Sequence, residues 1–179
     1  MSNCKSISCD KYRRLFDKYA SMPDDAPAFN TPEGMQWRDH GESCDKCIDW
    51  IRARTVRERG FSVDDFPCVH MAFYATFRCE THGDPWECPE DVIVYSPRID
   101  EYGIPMRDGG KSVTGISHCP WCGVMLPVSK REAYLAALRK LGVDPALFND
   151  EIPDAYQTDE WWRGRAVFPR WWPYVSRSE

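Results

Sequence analysis

The chain has 179 residues, 42% hydrophobic and 13% aromatic, enough to bury the core of one domain with a small addition. A net charge of −5 and an isoelectric point near 5.4 argue against non-specific nucleic-acid binding, which needs a basic face. No apolar run reaches membrane-spanning length, and Met1-Ser2-Asn3-Cys4-Lys5 lacks the apolar stretch of a secretion signal, so a cytoplasmic location is expected. In that reducing setting nine cysteines point to metal ligands and buried thiols rather than disulfides.

In chain order, residues 9–20 predict a helix with Tyr12, Leu15, Phe16 and Tyr19 on one face and Ser8 as its N-cap. Residues 21–42 read as a loop, because Pro23, Pro27, Pro32, Gly34 and Gly41 interrupt any periodicity. Residues 44–59 predict a second helix, capped by Ser43 and stopped by Gly60. Its Cys44, Cys47, Ile48 and Ile51 share an apolar face, and Arg52, Arg54, Arg57 and Arg59 make its second half basic. Aromatic-rich 69–77 reads as a strand, with a helix as the alternative, and Val92 to Tyr95 as another strand. Tyr102 to Met106 and Lys111 to His118 flank Arg107-Asp108-Gly109-Gly110, a strong hairpin signal. Ser129 and Glu132 form a capping box for a helix over 130–141, with Tyr134, Leu135, Leu138 and Leu141 on one face and Gly142 as its stop. Asp144-Pro145 opens a further helical turn. Two tryptophan pairs, Trp161-Trp162 and Trp171-Trp172, are expected to pack back on their own domain.

The hairpin leads straight into Cys119-Pro120-Trp121-Cys122-Gly123. Two cysteines two residues apart aim both sulfurs at one centre, and the following glycine permits the positive φ of the return turn. Cys79-Glu80-Thr81-His82-Gly83 has the same form. Tetrahedral zinc needs two such pairs, so Cys79, His82, Cys119 and Cys122 are the expected ligands of one structural zinc ion. Cys68 or Cys88 can replace His82 in that set. A second site would combine Cys44 and Cys47 with His40, and with Cys4 or Cys9, although helix placement favours buried thiols there. Cys-Pro-Trp-Cys also has the form of a redox dithiol, but no helix follows at once to stabilise a thiolate. No Ser-His-Asp order, phosphate-binding glycine loop or His-Glu-x-x-His pattern is present.

Several further motifs follow one another in order: Cys88-Pro89-Glu90-Asp91, Asp100-Glu101-Tyr102-Gly103, Asp108-Gly109-Gly110, Leu126-Pro127, Ser129-Lys130-Arg131 and Glu160-Trp161-Trp162. With the two Cys-x-x-(Cys/His)-Gly turns, residues 67–163 resemble a family of small uncharacterised bacterial and phage proteins, a domain of unknown function. The resemblance implies a zinc-ribbon-like domain and carries no catalytic residues. The expected architecture is α+β. A helical N-terminal extension, 1–66, precedes a β-rich zinc-ribbon-like domain, 67–179, covered by its C-terminal helix and Trp-rich tail. The expected function is a zinc-stabilised, non-catalytic module that binds another protein. The alternatives are a nucleic-acid-binding accessory protein using Arg52, Arg54, Arg57 and Arg59, and a thiol oxidoreductase at Cys119 and Cys122.

Overall fold

The computed structural model describes residues 7–144, 152–170 and 172. Among them the chain is α+β, with six α-helices and a three-stranded antiparallel sheet. It divides into two compact units, Met1–Thr55 and Val56–Glu179, and the division falls inside a helix.

The first unit is helical. Helix α1, Cys9–Ala20, begins at Ser8, whose hydroxyl accepts from the Lys11 amide at 3.2 Å. Its Tyr12 and Tyr19 are buried, and both rings stack on Trp37, at centroid distances of 5.2 and 5.0 Å. Trp37 belongs to α2, Pro32–Ser43, which lies where the sequence reads as a loop. The prolines and glycines there have local jobs. A 3₁₀ turn, Pro27–Asn30, leads to Thr31, whose hydroxyl accepts from the Gly34 amide at 3.1 Å. Pro32 then occupies the first helical turn, where its missing N–H costs nothing. A side chain at Gly34 would overlap the Ala28 carbonyl oxygen, and one at Gly41 would meet the Tyr12 hydroxyl at 2.8 Å. Cys44 alone separates α2 from α3, Asp45–Glu58. Ser43 therefore does not cap α3; its hydroxyl donates to the Asp39 carbonyl at 2.6 Å and closes α2.

The second unit surrounds a small sheet. Residues 69–77 do not form a strand. Val69–Ala75 is helix α4, because Met71, Ala72 and Ala75 share the buried face, a helical rather than an alternating pattern. Strand β1, Val94–Ser96, pairs with β2, Glu101–Pro105, which pairs with β3, Val113–Gly115. The β2–β3 turn is the predicted hairpin with shorter arms; Gly109 has φ of 84° and the Gly110 amide donates to the Asp108 side chain at 3.0 Å. Met71, Ile93, Tyr95, Tyr102, Leu126 and Phe168 lie in the core between these elements.

Helix α5, Arg131–Lys140, packs Tyr134 and Leu138 on Ile152, while Leu141 is half exposed. The expected capping box is absent. Lys130 is the N-cap, and Ser129 instead accepts from the Arg131 amide and donates to Glu101. The helical turn expected from Asp144-Pro145 lies outside the described residues. A short helix α6, Glu160–Arg163, turns both of its tryptophans inward: Trp161 and Trp162 donate to the Arg98 and Pro97 carbonyls at 2.7 and 2.9 Å. Trp172 is buried in the core, and Trp171 lies outside the described residues.

The close approach at Gly34 yields a prediction. Gly34→Ala should destabilise the first unit by about 1–3 kcal/mol, the usual cost of overpacking. Hydrogen exchange checks it: amides of α2 lose protection while those of β1 and β2 keep theirs.

Candidate metal centres

Among the described residues, cysteine and histidine side chains gather in three groups, each with its ligating atoms within 4.8 Å of one another. Around a tetrahedral ion of zinc's size, bonds of about 2.0–2.3 Å place neighbouring ligand atoms roughly 3.3–3.8 Å apart. The first group is Cys9, His40, Cys44 and Cys47. Cys9 opens α1, His40 lies in the last turn of α2, and Cys44 and Cys47 bracket the start of α3. The Cys9 and Cys44 sulfurs are 3.7 Å apart, too far for a disulfide and near a tetrahedral edge. His40 Nε2 is 3.3 Å from the Cys47 sulfur. The bend at Cys44 makes this possible: its extended backbone, φ −101° and ψ 99°, lets two helices supply one centre. Cys4 lies outside the described residues.

The second group is Cys68, His70, Cys119 and Cys122. Cys119 and Cys122 form the knuckle. The Cys119 amide donates to the Val124 carbonyl and the Gly123 amide to the Cys119 carbonyl, both at 2.9 Å. Gly123 takes φ of 72°, and His118 bridges to Met125 behind the turn. The other pair comes from α4. Cys68, its extended N-cap, and His70, in its first turn, converge on the knuckle. Trp121 stacks on Tyr74 at 4.1 Å and lies parallel to the His70 ring at 6.1 Å, so the knuckle is pressed against one face of α4.

The third group is Cys79, His82 and Cys88. His82 Nδ1 approaches the Cys79 sulfur to 3.2 Å. Asp84 shapes the loop between the cysteines: its side chain accepts from the Trp86 amide at 3.0 Å and its carbonyl from the Cys88 amide at 3.2 Å. The hairpin braces this loop, with Arg107 donating to the Trp86 carbonyl at 2.8 Å and Lys111 to Asp84 at 2.9 Å.

The four residues expected around one ion thus lie in two groups. Cys119 and Cys122 meet Cys68 and His70, while Cys79 and His82 meet Cys88. The knuckle leans on α4, an element that a strand reading could not place there. His70 is the residue that sequence reasoning missed; its signal is Cys68-Val69-His70, a second ligand pair upstream of the knuckle.

The electrostatics differ among the groups. Burial pushes the Cys47 and Cys68 thiols up to about 12. Burial pulls His40 down, against the Ile7 backbone, and so keeps its imidazole neutral and able to ligate. Cys79 falls to about 7, chiefly through the His82 side chain and then the His82 and Thr81 amides. Cys88 is raised by burial, against the amides of Glu90 and Asp91.

Residues 65–164 match the family model described as a domain of unknown function, DUF6980. The chain belongs to this family. Neither a curated protein nor a solved structure matches it. The second and third groups lie wholly inside the DUF6980 span, and the first lies outside it.

The arginines proposed for nucleic-acid contact are mostly engaged within the protein. Arg52 pairs with Asp49 at 2.9 Å and Arg54 with Asp17 at 2.7 Å. Arg59 donates to the Phe73 carbonyl at 2.6 Å, at the end of α4. Arg57 is exposed. The dithiol has no helix after it, since its chain turns back through Val124 and Met125. No helix among the described residues is long and apolar enough to cross a membrane.

At neutral pH the raised thiols carry protons that a metal must expel, so apparent affinity should rise with pH. The rise is on the order of tenfold per pH unit for each proton released. Competition against a chromophoric chelator at pH 6.5 and 7.5, with proton release read in weak buffer, measures both quantities. Affinity independent of pH would mean that Cys47 and Cys68 are not ligands.

Proposed function

We propose that this chain is a zinc-stabilised, non-catalytic module that binds another protein. Three thiols and one imidazole in each of two groups make a soft tetrahedral set, which suits zinc better than the hard divalent cations. Four protein ligands complete the coordination sphere and leave no vertex for substrate, the arrangement of structural rather than catalytic zinc. Both groups sit in or against the hydrophobic cores, so metal binding is coupled to folding. The free cysteines suit a reducing compartment such as the cytoplasm.

The surface beside the knuckle supports a protein partner. Met125 is 73% exposed and Val128 87%, with Trp121 and Val124 also reaching solvent. Leu126, between them, is buried and anchors the stretch. Met125 and Val128 border an open groove of about 440 Å³ whose lining also includes Phe66, Tyr102 and Trp162 together with Asp65 and Arg163. Contiguous exposed apolar side chains on a rigid support are a usual mark of an interaction surface.

Elemental analysis of protein purified without added metal should find at least two zinc ions per chain. Cys122→Ser should lose one and melt the second unit, while Cys47→Ser should lose the other and melt the first. A folded, metal-free wild type would overturn the zinc reading.

Met125→Asp with Val128→Asp should retain zinc and the melting profile, because both side chains are exposed. The same change should abolish capture of a partner from the native host. Capture that survives the double substitution would move the interface elsewhere.

A further inference from the structure

The Cys79, His82 and Cys88 group differs from the other two in having three ligands among the described residues rather than four. We infer that it holds a third zinc ion whose fourth position is exchangeable, occupied by water and open to a thiol.

Local geometry builds the triad for a metal. All three ligands come from one ten-residue loop, stiffened by the Asp84 turn and braced by Arg107 and Lys111 from the hairpin. Backbone amides of Thr81 and His82 face the Cys79 sulfur, and those of Glu90 and Asp91 face Cys88. Amide donors of this kind orient the two sulfurs toward one point. Cys88 is buried at the base, while His82 reaches solvent and Glu80, Thr81 and Gly83 beside it are exposed. A side chain built at Gly83 would meet nothing within 4 Å, so there is open space next to the site.

Charge selects the ligand. Two thiolates and a neutral imidazole cancel the ion's double charge, whereas the three-thiolate groups end at −1. The neutral centre can therefore take one more anionic donor and reach the same net charge. Exposed Glu80, Glu87 and Glu90 disfavour the approach of preformed anions such as phosphate. A thiol arrives neutral and ionises on binding. The incoming R–SH displaces the water, its sulfur forms the new bond to zinc as thiolate, and its proton leaves to solvent. No electron is transferred.

This inference rests on residues separate from the two closed groups, so the two readings fail separately. Full-length protein is loaded anaerobically with cobalt as a spectroscopic substitute, and 2-mercaptoethanol is titrated in. Wild type should hold three ions per chain, gain one thiol mass in the native mass spectrum, and strengthen its thiolate-to-cobalt charge-transfer band. Cys79→Ser with Cys88→Ser should hold two ions and show neither change, and His82→Ala should weaken the third ion alone. Two ions in the wild type, or a third whose spectrum and mass ignore the thiol, would overturn the inference and leave the closed centres standing.

Discussion

The second unit depends on three sulfurs and one imidazole meeting where α4 begins. Cys68 and His70 come from that helix, Cys119 and Cys122 from a knuckle about 50 residues later, so one small volume ties a helix start to the end of a hairpin. Everything between them is thereby placed: the loop with the third group, the sheet, and the β2–β3 turn that braces that loop. Closing so long a segment costs entropy that grows only slowly with length, and a single strong cross-link can offset it. Thiols alone are weak hydrogen-bonding groups and supply little such cross-linking. The ring stack of Trp121 on Tyr74 adds an apolar clamp, which keeps the knuckle seated against α4.

Size explains why such links recur. Met1–Thr55 is short for a self-sufficient core, and small units generally need a staple. Its apolar centre is an aromatic stack of Tyr12, Tyr19 and Trp37, and Cys44 and Cys47 belong to the same buried cluster as Tyr12. Burying two thiols and a histidine there, with a third thiol half-buried beside them, would be a poor use of core volume unless they shared a ligand. A cation would turn four weakly interacting groups into one strong junction between α1, α2 and α3.

How much of this was legible in the sequence varied with the range of the signal. The turn at Cys119 to Gly123, the hairpin at Asp108 to Gly110 and the start of α1 at Ser8 are all local, and local chemistry specifies each. Reading α2 as a loop failed because Pro32 and Gly34 look like breakers unless one knows that Pro32 begins the helix and that Gly34 passes under Ala28. Reading 69–77 as a strand failed for a similar reason: aromatic content suits a sheet surface, but Ala72 and Ala75 needed a helix to share the buried side. That error propagated, since His70 gains its place beside the knuckle only from α4. The pairing of ligands depends on tertiary contacts, so spacing could nominate Cys68, Cys79 and Cys88 without saying which sulfurs meet.

The family span itself has a physical closure. Residues 65–164 begin at Asp65, and Arg163, one residue before the other end, donates to the Asp65 carbonyl at 3.2 Å. The same guanidinium reaches the fully buried Asp159 at 2.8 Å and the Tyr95 hydroxyl at 3.3 Å. Tyr95 in turn donates to Asp100 at 2.9 Å, and Asp100 accepts from Lys130 at 2.7 Å. Asp100 sits at φ of 53°, a conformation that costs free energy at a non-glycine residue and persists when its surroundings over-determine it. Here both carboxylate oxygens are engaged, which supplies that constraint. One chain of charge-assisted contacts therefore runs from the first residue of the span, through the sheet, to the start of α5. Removing Arg163 would strand the fully buried Asp159 carboxylate, a larger penalty than losing an exposed pair. Within DUF6980, then, one cysteine and histidine group brings the knuckle to α4, Arg107 and Lys111 brace the loop, and this ionic chain joins the two ends.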